Sequence, residues 1–314
     1  MSIWVGVSAC VLGEKVRFDG GHKLSRFVAD ELGRHFRFFP LCPEMAVGLS
    51  SPRPTIRLVG NAERPRLVGT KDGSWDITDD LHAYSDKVLP GLGHLAGYIL
   101  CGKSPTCGME RVKVYTPEGE GLGKVGVGLF AARLMAAYPN LPIEEDGRLH
   151  DPLLRENFVM RVMTYHQWLV LLAEGLSVSG LMAFHRRHKF LLLAHNQKLY
   201  RELGPLIAKA DPAELPALAE RYITDFMAAL AHPASKKDHS NVLMHLQGFF
   251  KKALSREEKG ELRSLIDQYR QGLVPLMVPL TLINHHLSRH PVPYLAEQSY
   301  LNPYPVDLKL RYGL

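Results

Sequence analysis

The chain has 314 residues, four cysteines and a formal net charge of +6, and 46% of its residues are hydrophobic. This length and composition suit two domains with sizeable cores, and so few cysteines exclude a disulfide-stapled mini-protein and favour a reducing compartment. No uncharged apolar run of about 18 residues and no signal-peptide pattern occurs, so we expect a cytoplasmic protein with no membrane partner.

The positive charge is unevenly distributed along the chain. Residues 1–150 hold 18 Lys and Arg against 17 Asp and Glu, whereas residues 151–314 hold 20 against 15. An excess of positive charge favours anionic partners. The sequence therefore predicts that only the second part is built to contact a polyanion.

The start of the chain predicts a strand–loop–helix–strand unit. A β-branched run over 3–7 predicts the first strand, apolar residues at helical spacing over 24–36 predict a helix, and 36–41 predicts the second strand. Such a unit is parallel and right-handed. A further apolar run over 95–100 predicts another buried strand.

The remaining pattern changes from strands to helices along the chain. In the first half we predict a hairpin over 59–78 with its turn at Lys71-Asp72-Gly73, a helix over 79–92, a strand over 111–115 and a helix over 129–137. In the second half we predict helices over 181–203, 215–231, 240–254 and 256–269, with Gly204-Pro205 ending the first of them. The tail over 275–305 is proline-rich and is predicted to be irregular. This change of period fits an α/β N-terminal domain with a Rossmann-like parallel sheet, over 1–158, followed by an all-α C-terminal domain, over 159–314.

Three cysteines that follow predicted strands are candidates for a metal centre. Cys10 and Cys42 follow the first two strands, and Cys107 lies in a loop after the run over 95–100. Active groups of parallel sheets lie at the carboxyl ends of strands. No C-x-x-C pair typical of zinc is present, whereas iron–sulfur ligands can be dispersed along a chain. The spacing leaves open that these cysteines are small buried hydrophobic residues.

The loop from Cys101 to Gly108 is predicted to be rigid. Pro105 cannot donate a backbone hydrogen bond and disfavours helix at Ser104, while two glycines admit unusual backbone angles. The loop thus presents a thiol and a hydroxyl close together.

Residues 121–126 match the pattern G-x-G-x-x-G between a predicted strand and a predicted helix. A lone match is weak, and the acidic turn Pro117-Glu118-Gly119-Glu120 would repel a pyrophosphate. We interpret the segment as a glycine turn packed close to the site and expect no nucleotide cofactor.

A basic run that includes Arg186, Arg187 and Lys189 lies on a predicted helix. Runs of this kind usually form a solvated face, and they also form phosphate-contacting surfaces for structured RNA. Both interpretations stay open, and these three residues are the candidate RNA contacts. A zinc site on the neighbouring histidines is not favoured, because no acidic or thiol partner lies at helix spacing.

The first half of the chain resembles the TudS-like thiouracil desulfidase family. The segments that carry the resemblance are 7–13, 17–20, 42–44, 103–108 and 149–158. The second half resembles a helical domain of unknown function that is often fused to this family, through Phe184-His185-Arg186-Arg187-His188-Lys189 and Ala194-His195. Fusions of this layout resemble RudS-type enzymes, which remove sulfur from 4-thiouridine in tRNA.

The resemblance implies a [4Fe-4S] cluster with one open iron and three protein ligands, Cys10, Cys42 and Cys107. It also implies that Glu44 acts as general base and acid and that Ser104 relays a proton or hydrogen-bonds the substrate. From residue type alone, a helix N-terminal charge for Glu44 and a turn or cap role for Ser104 are the simpler interpretations. Cys101 has no place in this ligand set; we interpret it as a buried spectator, the alternative being a ligand of the open iron in a resting state.

The resemblance therefore implies an iron–sulfur-dependent, non-redox desulfidase. It would convert a thiolated uracil base, 4-thiouridine in tRNA, to the uracil form with release of hydrogen sulfide. Two alternatives remain, namely desulfidation of free thiouracil and a non-catalytic iron–sulfur RNA-binding protein.

Overall fold

Two four-stranded sheets organise the first half of the chain in the computed structural model, which describes residues 2–311. The strands are β1 (Ile3–Ser8), β2 (Phe36–Leu41), β3 (Ile56–Val59), β4 (Arg66–Gly69), β5 (Gly97–Leu100), β6 (Val112–Tyr115), β7 (Gly121–Gly126) and β8 (Ile143–Glu145). The first sheet has the order β2-β1-β5-β8 and is parallel throughout.

The centre of the parallel sheet is deeply buried. β5 is buried along its whole length and β1 over its last four residues, as expected of parallel strands covered on both faces. Gly6 of β1 has no room for a side chain, because a Cβ there would lie 2.2 Å from the Tyr98 ring of β5. Close contact between β1 and β5 aligns the loops that follow them.

The second sheet is mixed and has the order β4-β3-β6-β7. β3 and β6 are parallel, while β4 and β7 pair antiparallel to them at the two edges. Its apolar face is filled by Leu58, Leu67 and Val114, which are fully buried.

Helices are the main secondary structure of the second half. The helices of the described chain are α1 (Pro43–Ala46), α2 (Thr78–Val88), α3 (Leu129–Ala137), α4 (Pro152–Glu174), α5 (Val178–His195), α6 (Gln197–Ala208), α7 (Leu215–Ala229), α8 (Lys236–Phe249), α9 (Arg256–Gln271), α10 (Met277–Arg289) and α11 (Pro293–Ala296). Within residues 2–311, none of them combines the length and the apolar character that crossing a membrane requires.

The chain divides into two units, the first ending at Asp151 and the second beginning at Pro152. An α/β region followed by a helical one was predicted, and this fold class is confirmed. The predicted boundary between 158 and 159 falls inside α4, because that helix already begins at Pro152, whose fixed φ suits a first helical turn. In the second unit, Trp168 and Phe226 pack on Phe184 with ring centroids 5.4 and 5.5 Å away.

The predicted helix over 24–36 is confirmed only over its middle, where Phe27, Val28 and Leu32 of its apolar face are buried. Phe27–Glu31 forms a single π-helical turn and Leu32–Arg34 a 3-10 turn. The backbone amides of Lys23 and Ser25 donate instead to the carbonyls of the loop after β1, at 2.8 and 2.9 Å. These long-range hydrogen bonds keep residues 23–25 extended, although the helical spacing predicted that the first turn of the helix begins at residue 24.

The predicted turn at 71–73 is confirmed, because Val68 of β4 pairs antiparallel with Asp76 and the Gly69 amide donates to the Trp75 carbonyl at 2.8 Å. β3 and β4 form a further hairpin that turns at 60–65. Three other predicted features differ from the structure. The glycine pattern over 121–126 is strand β7, paired with β6, and not a turn. α6 continues through Gly204-Pro205, and α10 occupies 13 residues of the tail that was predicted to be irregular. Pairing with β6 decided the first of these.

Candidate active site

The carboxyl ends of three neighbouring strands meet at one cavity. Cys10 lies in a 3-10 turn directly after β1, Cys42 directly follows β2, and Cys107 lies in the loop after β5. Since β1 lies between β2 and β5 and is parallel to both, the three segments leave the sheet at the same edge. A cavity of about 380 Å³ opens there, and all three cysteines line it together with Cys101.

Two distant side chains fix the start of the loop from Cys101 to Gly108. Ser8 Oγ, at the end of β1, accepts a hydrogen bond from the Cys101 amide at 3.0 Å. Asp146 Oδ1, just after β8, accepts one from the Gly102 amide at 2.8 Å. The loop is therefore tied to the strands on either side of β5.

Ser104 joins the loop to the predicted base. Its Oγ accepts the amides of Thr106 and Cys107 at 3.2 and 3.1 Å, so it does serve as a turn residue. The same hydroxyl donates to Glu44 Oε1 at 3.5 Å, which a group with one proton and two lone pairs can do at the same time. The structure thus brings the two predicted catalytic side chains together.

Arg53, which the sequence did not single out, anchors Glu44. Arg53 Nε donates to Glu44 Oε2 at 3.1 Å, and Arg53 Nη2 contacts the same oxygen. Arg53 Nη1 donates to the carbonyls of Val16 and Ser50, each at 3.0 Å. The side chain of Arg53 is 4% exposed and that of Glu44 13%, so the pair is held almost out of water, with Glu44 Oε1 left to face Ser104.

A second ion pair, also missed from the sequence, lies on the cavity wall. Lys23 Nζ contacts Asp146 Oδ1 and Oδ2 at 3.0 and 2.9 Å. Burial on its own lowers the pKa of Lys23, but the neighbouring Cys101 thiolate and Asp146 outweigh it, so that this pKa is raised. No spacing rule links either ion pair, because nine positions separate Glu44 from Arg53 and 123 separate Lys23 from Asp146.

The three predicted ligand thiols have raised pKa values, whereas the pKa of Cys101 is lowered by its side-chain hydrogen bond with Cys10. Contact with Cys101 and burial raise the pKa of Cys10, and burial raises the pKa of Cys42 and of Cys107. Thiols with raised pKa stay protonated at neutral pH unless a cation replaces the proton. An iron–sulfur cluster is such a cationic centre, and cysteine thiolates are its usual donors. The donor set therefore fits a cluster.

The side chains around the cavity are less suited to binding a single metal ion. Across residues 2–311, no three His, Cys, Asp or Glu side chains surround a point suited to one ion. In a four-iron cluster each thiolate binds a different iron, so its ligands enclose a volume instead of a point.

Cys101 lies beside the predicted ligands. It is 5% exposed, lines the same cavity and shares a side-chain hydrogen bond with Cys10. Its place in the cavity is compatible with a spectator and with a resting-state ligand alike, and the spectator role stays a prediction.

The basic run of the second unit lies on α5. Arg186 and Arg187 are both exposed. Arg186 pairs on the surface with Glu297 at 3.4 Å, and the half-buried Lys189 lies over the Tyr200 ring, 5.7 Å from its centroid. Both histidines of the run are buried. The exposed basic face is consequently narrower than the run of five residues suggested.

Comparison with known proteins divides the chain in the same two parts. Residues 5–146 match a family described as 2-thiouracil desulfurase, and residues 189–305 match the family DUF1722, a protein of unknown function. The uncharacterized protein YbgA of Escherichia coli (strain K12) is 35% identical over 159 residues, which make up 50% of this chain and 94% of YbgA. A solved structure of the [4Fe-4S]-dependent thiouracil desulfidase TudS is 28% identical, covers 48% of this chain and 94% of its own, and has a TM-score of 0.39.

Proposed function

We propose that this chain, which belongs to the TudS-like family fused to a DUF1722 helical domain, is an iron–sulfur-dependent desulfidase of thiolated uracil. The observation that carries the proposal is the cavity at the carboxyl edge of the parallel sheet, where cysteines from three neighbouring strands lie with the Glu44–Ser104 pair. This unit contains the match to the 2-thiouracil desulfurase family.

The proposed reaction exchanges sulfur for oxygen without electron transfer. Water adds to the ring carbon, the carbon–sulfur bond breaks, and both protons of the water leave with the sulfur as hydrogen sulfide. Cys10, Cys42 and Cys107 would hold the [4Fe-4S] cluster, which when bound supplies a Lewis-acidic iron to the thiocarbonyl sulfur.

Side chains of the protein transfer the protons in this reaction. Glu44 Oε1 accepts a proton from the attacking water and returns it to the departing sulfur, with the Ser104 hydroxyl as the relay beside it. Arg53 holds the carboxylate of Glu44 in place from the opposite side. Arg53 is accordingly a positioning residue, since it acts through Glu44.

The proposed substrate is 4-thiouridine in tRNA. The excess of positive charge in residues 151–314 and the exposed Arg187 of α5 support contact with RNA in the second unit, with Arg186 and Lys189 as further contacts. A modified base must leave its stack to reach a cavity of this kind. Four unpaired cysteines support a reducing compartment, and we place the protein in the cytoplasm.

Sulfide release under anaerobic conditions tests the proposal. Protein loaded with iron and sulfide should release hydrogen sulfide from tRNA that contains 4-thiouridine, and faster than from free 2-thiouracil. Preference for the free base would reject the tRNA substrate. A bound cluster without sulfide release from any thiolated pyrimidine would reject the enzyme and favour a non-catalytic iron–sulfur protein.

A further inference from the structure

A second cavity adjoins the cavity of the cysteines. It has a volume of about 440 Å³, and Lys103 and Pro105 belong to the walls of both. Five cationic side chains line it, and among the described residues no Asp or Glu does: Arg57, Lys103, Arg111, Lys113 and Lys124. The second cavity is thus strongly positive, although residues 1–150 are almost neutral in total.

The second sheet brings these cations together. Arg57 lies on β3, Lys113 on β6 and Lys124 on β7, and β3, β6 and β7 are neighbours. On β6, Lys113 is exposed between the buried Val112 and Val114, so it lies on the face opposite the apolar core. The pattern was invisible along the chain, where the five positions are scattered between acidic residues.

Little of this charge is compensated. Of the five cations, only Arg111 forms an ion pair among the described residues, with Glu110 at 2.7 Å. Arg57 lies over the Tyr115 ring, 5.2 Å from its centroid, and its Nε is buried without a hydrogen-bond partner. Buried polar atoms are nearly always satisfied, so this nitrogen is a candidate donor to an anionic ligand.

The backbone is also strained at this cavity. Lys103 and Arg111 have φ values of 67° and 53°, in the left-handed region that residues other than glycine rarely adopt. Strain of this kind is concentrated at ligand sites. Lys103 directly precedes Ser104, so the strained residue connects the cationic cavity with the proposed catalytic pair.

We propose that the second cavity binds the phosphates of an RNA strand whose thiolated base occupies the cysteine cavity. The inference rests on the proposed function and adds where the backbone of the substrate lies. A base is joined to its phosphate through one ribose, which matches two cavities that share a wall. Five cations over about 440 Å³ exceed what one phosphate needs and favour a polynucleotide. A free base would leave this cavity without a ligand.

A binding experiment tests the cavity independently of catalysis. The probe is a fluorescein-labelled, unthiolated oligouridylate, and its anisotropy is measured with the cluster-loaded protein in a series of salt concentrations. The slope of the logarithm of the association constant against the logarithm of the salt concentration is negative, and each phosphate contact with single-stranded RNA contributes about −0.7 to it. The double variant Lys113→Ala/Lys124→Ala should therefore make this slope less negative by about 1.4. The matched control is Lys87→Ala, an exposed lysine at the end of α2. Equal affinity and slope in the double variant and the control would overturn the proposal.

A kinetic experiment distinguishes the sources of the phosphate. The double variant should lower kcat/KM for thiolated tRNA relative to 2-thiouracil by about tenfold, whereas Lys87→Ala should leave this ratio unchanged. If the double variant lowers kcat/KM equally for 4-thiouridine 5′-monophosphate and for thiolated tRNA, the cavity binds the phosphate of a mononucleotide and not an RNA strand, which would overturn the inference. If the wild type releases no sulfide from any substrate, the proposed function fails, and the salt slope still decides whether this cavity binds RNA.

Discussion

Replacing Arg53 by alanine should destabilise the first unit by about 3 kcal/mol. The side chain is 4% exposed and pairs with a Glu44 side chain that is 13% exposed. Removing one partner of a buried ion pair typically costs about 3–5 kcal/mol, because the other charge stays buried without compensation. We expect the lower end of that range, since the cavity can admit water to the Glu44 carboxylate and to the two carbonyls that Arg53 binds.

Urea unfolding followed by tryptophan fluorescence measures this loss. Arg64→Ala is the matched control, because Arg64 is an exposed arginine of the same unit, and it should change the free energy of unfolding by less than about 0.5 kcal/mol. In the double variant with Glu44→Ala, part of the cost of Arg53→Ala should be recovered, which would give a coupling of about 1–3 kcal/mol. A free energy of unfolding for Arg53→Ala equal to that of the control would refute the structural role of the pair.

Further outcomes follow from the site and from the helical unit. Alanine at any one of the three predicted ligand cysteines should abolish bound iron and brown colour in protein prepared without air, while Cys101→Ala should retain both; loss of iron from the latter would make it a ligand. Ser104→Ala should keep the iron but lower kcat by about 100-fold or more, and unchanged turnover would remove the hydroxyl from the proton path. Burial lowers the pKa of His188 to about 3, whereas an unfolded histidine titrates near about 6.5; the unfolded chain therefore takes up the proton first as the pH falls, and stability should decline below about pH 6.5. The free energy of unfolding of the wild type should therefore fall between pH 7 and pH 5, and His188→Asn should make this fall smaller by about 2 kcal/mol. The control His245→Asn, at an exposed position, should show the same fall as the wild type. Arg187→Glu should weaken binding of tRNA measured at low salt and lose this effect at high salt; equal affinity at low salt would exclude α5 from the interface.

Local sequence predicted the limits of some strands and helices of the first unit well. The predicted strand over 36–41 coincides with β2, and the helix predicted over 129–137 coincides with α3. Strands of a parallel sheet are continuous apolar runs bounded by loop residues, so their limits can be read from neighbouring positions. The same rule failed at 121–126, because β7 is an exposed edge strand whose glycines carry no apolar pattern.

The order of strands and cysteines in the sequence already predicted that three thiols meet at one edge of a sheet. What the sequence could not show were the ion-pair partners around the cavity, including that of the predicted base Glu44. Arg53 reaches Glu44, and Lys23 reaches Asp146, only after the loops have folded over the sheet edge.

The sequence by itself determined the two-part architecture, the strands that carry the cysteines and the chemical types at the site, because these depend on periodicity and on residue identity. The tertiary structure alone decided which charges face one another. Positions that are neutral on average along the chain became a cationic cavity next to the thiols, since strand pairing in the second sheet places side chains from distant segments on one face. Electrostatic fields depend on distance in space, and distance in space is set by the fold.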